Sequence, residues 1–103
     1  WQKGVCVLSN RSVYSAANEF VKNMKALGYT IVGDVTGGGS GMPFSAELPN
    51  GWGVRFSACP MYDVDGECTE NGVAPDVAVG IKDEDFQKGK DTIIETARKI
   101  LQE

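Results

Sequence analysis

The chain has 103 residues, a formal charge of −4, 42% hydrophobic residues and 23% charged residues. This length suits one domain, and a composition so close to the globular average argues against a disordered tail or a fibrous repeat. The acidic balance, without any basic run, argues against nucleic acid as a partner. The apolar runs are far shorter than the roughly 20 residues that a membrane-spanning helix needs, so we expect no membrane span.

The first predicted elements are a strand, a helix and a second strand. Residues 4–8 form a continuous apolar run typical of a buried strand, and residues 15–28 carry apolar side chains at helical spacing. Ser15 can cap the start of this helix and Gly28 can end it. Residues 29–32 predict a second buried strand, and the helical crossover makes the two strands parallel. The sequence therefore predicts an α/β fold.

A glycine-rich loop and a hairpin are predicted next. Five glycines fall between residues 33 and 41, so the loop backbone must either flex or approach another group closely. Residues 44–48 and 52–59 flank a Pro-Asn-Gly turn and predict a β-hairpin. The alternation in its second strand predicts one buried face, made by Val54, Phe56 and Ala58.

The end of the chain predicts one short strand and two helical segments. Residues 77–79 are apolar and short, as expected of a strand. The chain is polar and helical from Asp83 on, and Gly89 is expected to separate a short first turn from the main helix. The apolar stripe of that helix consists of Ile93, Ile94, Ala97, Ile100 and Leu101.

We expect neither a metal nor an organic cofactor. The sequence contains no histidine, and its three cysteines are too few and too widely spaced for a zinc site. The glycine loop has Gly39 where a phosphate-binding P-loop carries its lysine, and strand-like residues follow it where a P-loop would begin a helix.

Ser15 has two interpretations on its own residues. As a cap, its hydroxyl would accept a hydrogen bond from a backbone N–H of the first helical turn, which is the usual role of serine at this position. As a nucleophile, it would use the unpaired N–H groups and the partial positive charge of the helix N-terminus to stabilise an oxyanion. The serine alone favours the cap.

Six segments in order carry a family resemblance: residues 7–12, 14–19, 30–34, 36–39, 48–51 and 70–76. Together they resemble the C-terminal processing peptidases, a family that includes the tail-specific proteases and the tricorn core. The resemblance implies a ClpP/crotonase-like α/β fold and serine endopeptidase activity on unfolded or C-terminal peptide segments. It also implies that residues 1–103 are the C-terminal portion of a single catalytic domain, with an upstream part that often includes a PDZ module. A location outside the cytoplasm, in the periplasm or at the cell surface, is suspected on the same ground.

The resemblance also implies roles for individual residues. Ser15 matches the nucleophile of the family's Ser-Ala-Xaa-Glu segment, and the Ala16 N–H would form half of the oxyanion hole. Glu19 follows Ser-Ala-Ala-Asn, one position later than in the common form, so we assign it no catalytic role. The implied substrate-binding loop consists of Gly37, Gly38 and Gly39.

The general base is missing from these residues. Members with a catalytic lysine place it in the glycine loop, but this sequence has no lysine between Lys25 and Lys82. Tricorn-like members use a Ser-His-Ser-Glu tetrad whose histidine and second serine come from the N-terminal part of the domain. The resemblance makes Glu70 the candidate that polarises this second serine, and the alternative for Glu70 is a solvated turn carboxylate.

Two functions follow, and they belong to different classes. The first is a serine endopeptidase whose base residues come from the upstream part of the same protein. The second is a catalytically silent module that binds a peptide or a small ligand, as in a photoreceptor retinoid carrier that resembles this family. An upstream His next to Ser would favour the peptidase. The expected partners are a polypeptide substrate, the upstream part, and a second copy of the chain through exposed strand surfaces.

Overall fold

The computed structural model describes residues 3–103. The first three elements are strand β1 (Cys6–Ser9), helix α1 (Ala16–Ala26) and strand β2 (Thr30–Gly33). Strands β1 and β2 pair in parallel along their whole length, as expected of two strands joined by a helical crossover. The predicted strand–helix–strand unit is confirmed, with each boundary shifted by one or two residues.

The remaining elements follow the predicted order. They are β3 (Pro43–Glu47), β4 (Gly53–Ser57), a 3-10 helix (Thr69–Asn71), β5 (Val77–Ala78), α2 (Asp83–Gln87) and α3 (Thr92–Gln102). Strands β3 and β4 form an antiparallel hairpin, and β5 pairs in parallel with β2. Within residues 3–103 the parallel sheet therefore has the order β1-β2-β5. The predicted α/β fold is confirmed.

Hydrophobic side chains cover both faces of the parallel sheet. Successive side chains of a strand point to opposite faces, so Ile31 and Val32 of β2 contribute to different clusters. One cluster joins the sheet to α1, and the other joins it to α3. Their buried members are Val7, Val21 and Ile31 on the α1 side, and Val32, Ile93 and Ala97 on the α3 side. The sheet thus lies between two helical layers.

The helices begin and end where the local chemistry allows. Asp91 precedes α3, and its carboxylate accepts the N–H groups of Ile93 at 2.8 Å and Ile94 at 3.1 Å, which is an N-cap. Gly28 follows α1 with a φ of +85°, the left-handed conformation that commonly ends a helix. Gly89 has a φ of +68° between α2 and α3, as its predicted role as a break requires. Among the helices between residues 3 and 103, none is both long and apolar enough to cross a membrane.

The hairpin differs from the prediction. Its two strands form as expected, but the predicted buried face of Val54, Phe56 and Ala58 is wrong. Within β3 and β4 every residue is exposed except Val54, which is half-buried. The rings of Phe44 and Phe56 pack on each other, with centroids 5.7 Å apart, and more than half of each side chain stays exposed. Alternation identifies an apolar face, but it carries no information on whether another element covers that face.

Candidate active site

Ser15 immediately precedes α1 in a backbone conformation that side chains rarely adopt. Its φ is 54° and its ψ is −122°. Positive φ brings the Cβ atom of an L-residue close to its own backbone, so such a residue is held there only by its surroundings. Here the Ser15 N–H donates to the Gly38 carbonyl at 2.9 Å, and the Ser15 carbonyl accepts the Glu19 N–H at 3.0 Å. The turn is therefore fixed from the glycine loop and from the helix.

The Ser15 hydroxyl does not cap the helix. No side-chain hydrogen bond to the first turn of α1 is present, so the cap interpretation of this serine is wrong. The residue is exposed and lines a cleft of about 300 Å³ between the glycine loop and the hairpin. The lining residues are Tyr14, Ser15, Gly39, Pro43, Arg55, Phe56 and Ser57. Ser15 thus lines a cleft and does not cap the helix.

The backbone N–H of Ala16 is available next to that hydroxyl. Within residues 3–103 it donates to no hydrogen-bond acceptor, whereas the following Ala17 N–H donates to the Tyr14 carbonyl at 3.1 Å. An unpaired N–H at a helix N-terminus carries the partial positive charge that an oxyanion would bind. The predicted role of Ala16 as an oxyanion donor fits this geometry and stays a prediction.

The glycine loop lies between Ser15 and Glu70 with no room for side chains. A Cβ atom on Gly38 would come within 2.0 Å of the Glu70 carbonyl oxygen, and one on Gly37 within 2.2 Å of the Tyr14 ring. Gly39 lines the cleft, and its N–H donates to the Glu70 carbonyl at 2.9 Å. The loop therefore approaches other groups closely. A substrate-binding role for Gly37, Gly38 and Gly39 stays a prediction.

Glu70 lies in the 3-10 helix with both carboxylate oxygens in hydrogen bonds. Oε2 accepts the Gly41 N–H at 2.9 Å, and Oε1 accepts the Ser57 hydroxyl at 2.5 Å. Ser57 lines the cleft of Ser15 and also a neighbouring cavity of about 210 Å³ that Glu70 lines. The structure therefore places Ser15 and Glu70 in adjacent cavities that share Ser57. The sequence analysis missed Ser57 because nothing in its local sequence indicates a contact 13 residues away.

A buried polar network joins the start of α1 to the elements around it. Asn18 is fully buried, and its Nδ2 donates to the Ser40 hydroxyl at 2.6 Å and to the Thr69 carbonyl at 3.0 Å. Its Oδ1 accepts the Thr36 hydroxyl, and the Thr36 oxygen accepts the Val73 N–H at 2.7 Å. Thr69 precedes Glu70, so the network fixes the 3-10 helix relative to Ser15. The sequence analysis missed Asn18 as well.

Comparison with known proteins decides the family. The model of peptidase family S41 matches residues 1–79. The chain belongs to peptidase family S41. No curated protein matches it in sequence.

Solved structures agree with this family. A candidate peptidase from Parabacteroides merdae ATCC 43184 is 58% identical and covers 98% of this chain with a TM-score of 0.92. The tricorn protease is 26% identical over 95% of the chain with a TM-score of 0.81, and mature CPAF in complex with lactacystin is 25% identical over 97% with a TM-score of 0.81. This chain spans 32% of the Parabacteroides protein, 10% of tricorn and 20% of CPAF. The fold is the α/β fold of these family members.

Glu19, the shifted glutamate of this S41 chain, lies away from the cleft. Its carboxylate pairs with Lys22, and the Thr69 hydroxyl approaches it at 3.4 Å. Burial raises the pKa of Glu19, but hydrogen bonds from Lys22, Ser40 and Thr69 together with the Lys22 charge outweigh it and hold the pKa below its usual value. These contacts give Glu19 a structural role between α1 and the 3-10 helix.

No general base for Ser15 is present in the part of the chain that the structure describes. The sequence has no histidine, and no lysine is among the residues that line the cleft. Between residues 3 and 103, no three His, Cys, Asp or Glu side chains come together as a metal site would require. The described residues therefore place an exposed serine, an unpaired backbone N–H and a hydrogen-bonded carboxylate around neighbouring cavities, without a histidine or a lysine in the cleft.

Proposed function

We propose that this chain is the C-terminal portion of the catalytic domain of a serine endopeptidase of the C-terminal processing or tricorn-like type. Its substrates are polypeptides, cut in unfolded or C-terminal segments. The observation that carries the proposal is Ser15, whose hydroxyl faces a cleft from a strained turn at the N-terminus of α1. Membership of peptidase family S41 supports peptidase chemistry for the whole protein. This chain spans 32% of the Parabacteroides relative, so about two thirds of that relative lies outside the region that this chain matches.

In the proposed reaction Ser15 is the nucleophile. A serine hydroxyl is weakly nucleophilic at its own pKa, so a base from outside these 103 residues must accept its proton during attack. The Ser15 oxygen bonds to the carbonyl carbon of the peptide, and the carbonyl oxygen becomes an oxyanion near the Ala16 N–H. The protonated base then returns the proton to the leaving amine, and water later hydrolyses the acyl-enzyme.

Glu70 acts in this scheme as a positioning residue. Its carboxylate is fixed by Gly41 and Ser57, so it has one orientation from which to hold a further group. Each carboxylate oxygen has two lone pairs, which leaves one acceptor position on each for another donor. We propose that this donor is the second serine of the tetrad, which orients the histidine that serves as the base.

Labelling of the full-length protein tests the identity of the nucleophile. A serine-directed phosphonate should attach to Ser15, because among the serines of residues 3–103 it is the one that lines the cleft at a helix N-terminus without capping the helix. Peptide mapping by mass spectrometry locates the label, and Ser15→Ala is the control that should abolish both labelling and turnover. Label at Ser12 or Ser57, with Ser15 unmodified, contradicts the assignment. Specific peptide binding without labelling or turnover would instead support the silent binding module.

A second variant tests Glu70. Glu70→Gln in the full-length enzyme should lower kcat by about 10-fold or more with little change in KM, because an amide orients the relay less well than a carboxylate does. The amide keeps the size of the side chain and can still accept hydrogen bonds. Glu67→Gln, at an exposed position three residues earlier, is the matched control. Equal kcat values for Glu70→Gln and the wild type would return Glu70 to the status of a turn carboxylate.

A further inference from the structure

One contact shows which face of β4 is turned towards the candidate site. Ser57 donates its hydroxyl to Glu70, so the face of the strand that carries Ser57 faces the 3-10 helix. Side chains two residues apart on a strand lie on the same face. Arg55 therefore extends from this face too, and it lines the cleft that contains Ser15. The hairpin places a guanidinium group beside the proposed nucleophile.

Arg55 is the charged residue of that cleft. Of the seven residues that line it, the other six are Tyr14, Ser15, Gly39, Pro43, Phe56 and Ser57, and these carry no formal charge at neutral pH. The ion pairs within 4.0 Å between residues 3 and 103 join Lys22 to Glu19, Lys25 to Asp76, and Arg98 to Glu95. In that part of the chain Arg55 forms no ion pair within this distance. Glu47 lies on the same hairpin face but pairs in register with Gly53, at the opposite end of β4 from Ser57.

We propose that Arg55 is a specificity-determining residue that binds a carboxylate of the peptide substrate close to the scissile bond. The planar guanidinium presents its N–H donors in a fork that matches a carboxylate. Tyr14 and Phe56 also line the cleft, so aromatic rings lie near the position where the carboxylate would bind. This inference rests on the proposed function of Ser15. The carboxylate comes either from an Asp or Glu side chain or from the free C-terminus of the peptide.

The first step of the test is to map cleavage sites. An unfolded protein is digested with the full-length enzyme and with its Arg55→Gln variant, and the new termini are sequenced by mass spectrometry. We expect wild-type cleavage to cluster within two residues of Asp, Glu or a free C-terminus, and Arg55→Gln to cleave without this clustering. Sites from the wild-type digest then supply the sequences for matched peptides.

The second step compares kcat/KM on those peptides. One pair differs by Glu against Gln, and another by a free against an amidated C-terminus, so the two sources of the carboxylate are separated. The wild type should favour the carboxylate member of one pair by about 10-fold, the effect of a charge-assisted hydrogen bond at a partly exposed site. Arg55→Gln should lose this preference, so that its kcat/KM values on the two members of the pair become equal. Arg55→Lys should retain part of the preference, because it keeps the charge without the fork.

Arg98→Gln is the matched control, since it removes an exposed arginine from α3, away from the cleft. It should leave both ratios unchanged. Wild-type ratios near one, or an Arg55→Gln variant that slows all peptides equally, overturn the inference while Ser15-dependent turnover still supports the proposed function. A wild-type enzyme without Ser15-dependent turnover contradicts the proposed function, and the inference fails with it.

Discussion

Ser15 is held in a conformation that a helix cap does not need. A residue that only starts a helix can adopt an ordinary extended backbone, as Asp91 does before α3 with a φ of −97°. Ser15 instead has a φ of 54°, which for a non-glycine residue costs about 1–3 kcal/mol. Its bonds to the Gly38 carbonyl and the Glu19 N–H stabilise this conformation. In this conformation Ser15 lines the cleft without capping the helix, which suits the nucleophilic role that we propose for it.

This strain predicts an unusual order of stabilities. Ser15→Gly should be about 1 kcal/mol more stable than Ser15→Ala, because glycine adopts positive φ without the Cβ clash. Urea unfolding of the two variants measures the difference. Ser12, in an exposed turn without positive φ, is the control, and there the alanine variant should be at least as stable as the glycine variant. If the alanine variant is at least as stable as the glycine variant at position 15 as well, Ser15 is unstrained.

The two residues after the Ser-Ala-Ala segment, Asn18 and Glu19, differ from the family motif in sequence and have different surroundings. The family motif places glutamate three residues after the serine, where this sequence has Asn18, and the glutamate follows as Glu19. Asn18 is buried in the network behind the cleft, whereas Glu19 pairs with Lys22. An amide can both donate and accept, so Asn18 satisfies a hydroxyl and a carbonyl at once, which a carboxylate could not do. Glu19 is not among the residues that line the cleft, which agrees with a residue that has no catalytic role.

At the scale of elements, Asn18 connects three segments that are far apart in sequence. Its side chain bonds to Ser40 in the glycine loop and to Thr69 in the 3-10 helix, 22 and 51 residues away. Thr36 extends the network to the Val73 N–H. A buried network in which every member has a partner is rigid, because any rearrangement leaves a polar group unsatisfied. The network therefore holds the start of α1, where Ser15 lies, in a fixed position relative to Glu70.

We expect Asn18→Ala to lower the free energy of unfolding by about 2–3 kcal/mol, since it leaves a buried hydroxyl and a buried carbonyl without partners. Chemical unfolding of the full-length protein provides the measurement. Asn23→Ala, on the exposed side of α1, is the control and should change the free energy by less than about 0.5 kcal/mol. A loss as small as that of the control would mean that water replaces the amide and that the network does not hold the elements together.

The elements followed from the sequence more closely than the contacts between them. Periodicity gave the strand–helix–strand unit, the hairpin and the break at Gly89, because these depend on neighbours within a few residues. Motif order named Ser15 and Glu70 as candidate site residues, and their catalytic roles stay predictions. The contacts of Ser57, Asn18 and Arg55 were not predicted, because each depends on side chains that only the tertiary fold brings together. The alternation of residues in the hairpin also could not predict whether another element covers its apolar face.

At the scale of the whole molecule, the chain is more extended than a closed domain of this length. Its radius of gyration is 16.8 Å with extents of 58 × 35 × 21 Å, and it has 103 residues. A compact domain of that length would have a radius of gyration of about 13 Å. The hairpin contributes large exposed side chains, including Phe44, Trp52 and Phe56. We propose that other parts of the polypeptide cover these surfaces, in agreement with the 32% of the Parabacteroides protein that this chain spans.

If the site is divided between this chain and the rest of the protein, as we propose, these 103 residues alone have no peptidase activity. Attack by Ser15 requires a proton acceptor, and the sequence has no histidine and no lysine between Lys25 and Lys82. Residual catalysis by the Ala16 N–H and the binding surface would be weak in comparison.

The measurement is turnover of an unfolded protein and of a chromogenic peptide by residues 1–103, with and without a polypeptide that covers the upstream catalytic segment. Circular dichroism must first show that the isolated segment is folded, so that inactivity reflects the missing base. We expect activity only in the presence of the upstream polypeptide, and its loss in Ser15→Ala, because in the proposed mechanism the upstream part supplies the base. Hydrolysis by the segment alone that Ser15→Ala abolishes would place a base within these residues and refute the tetrad.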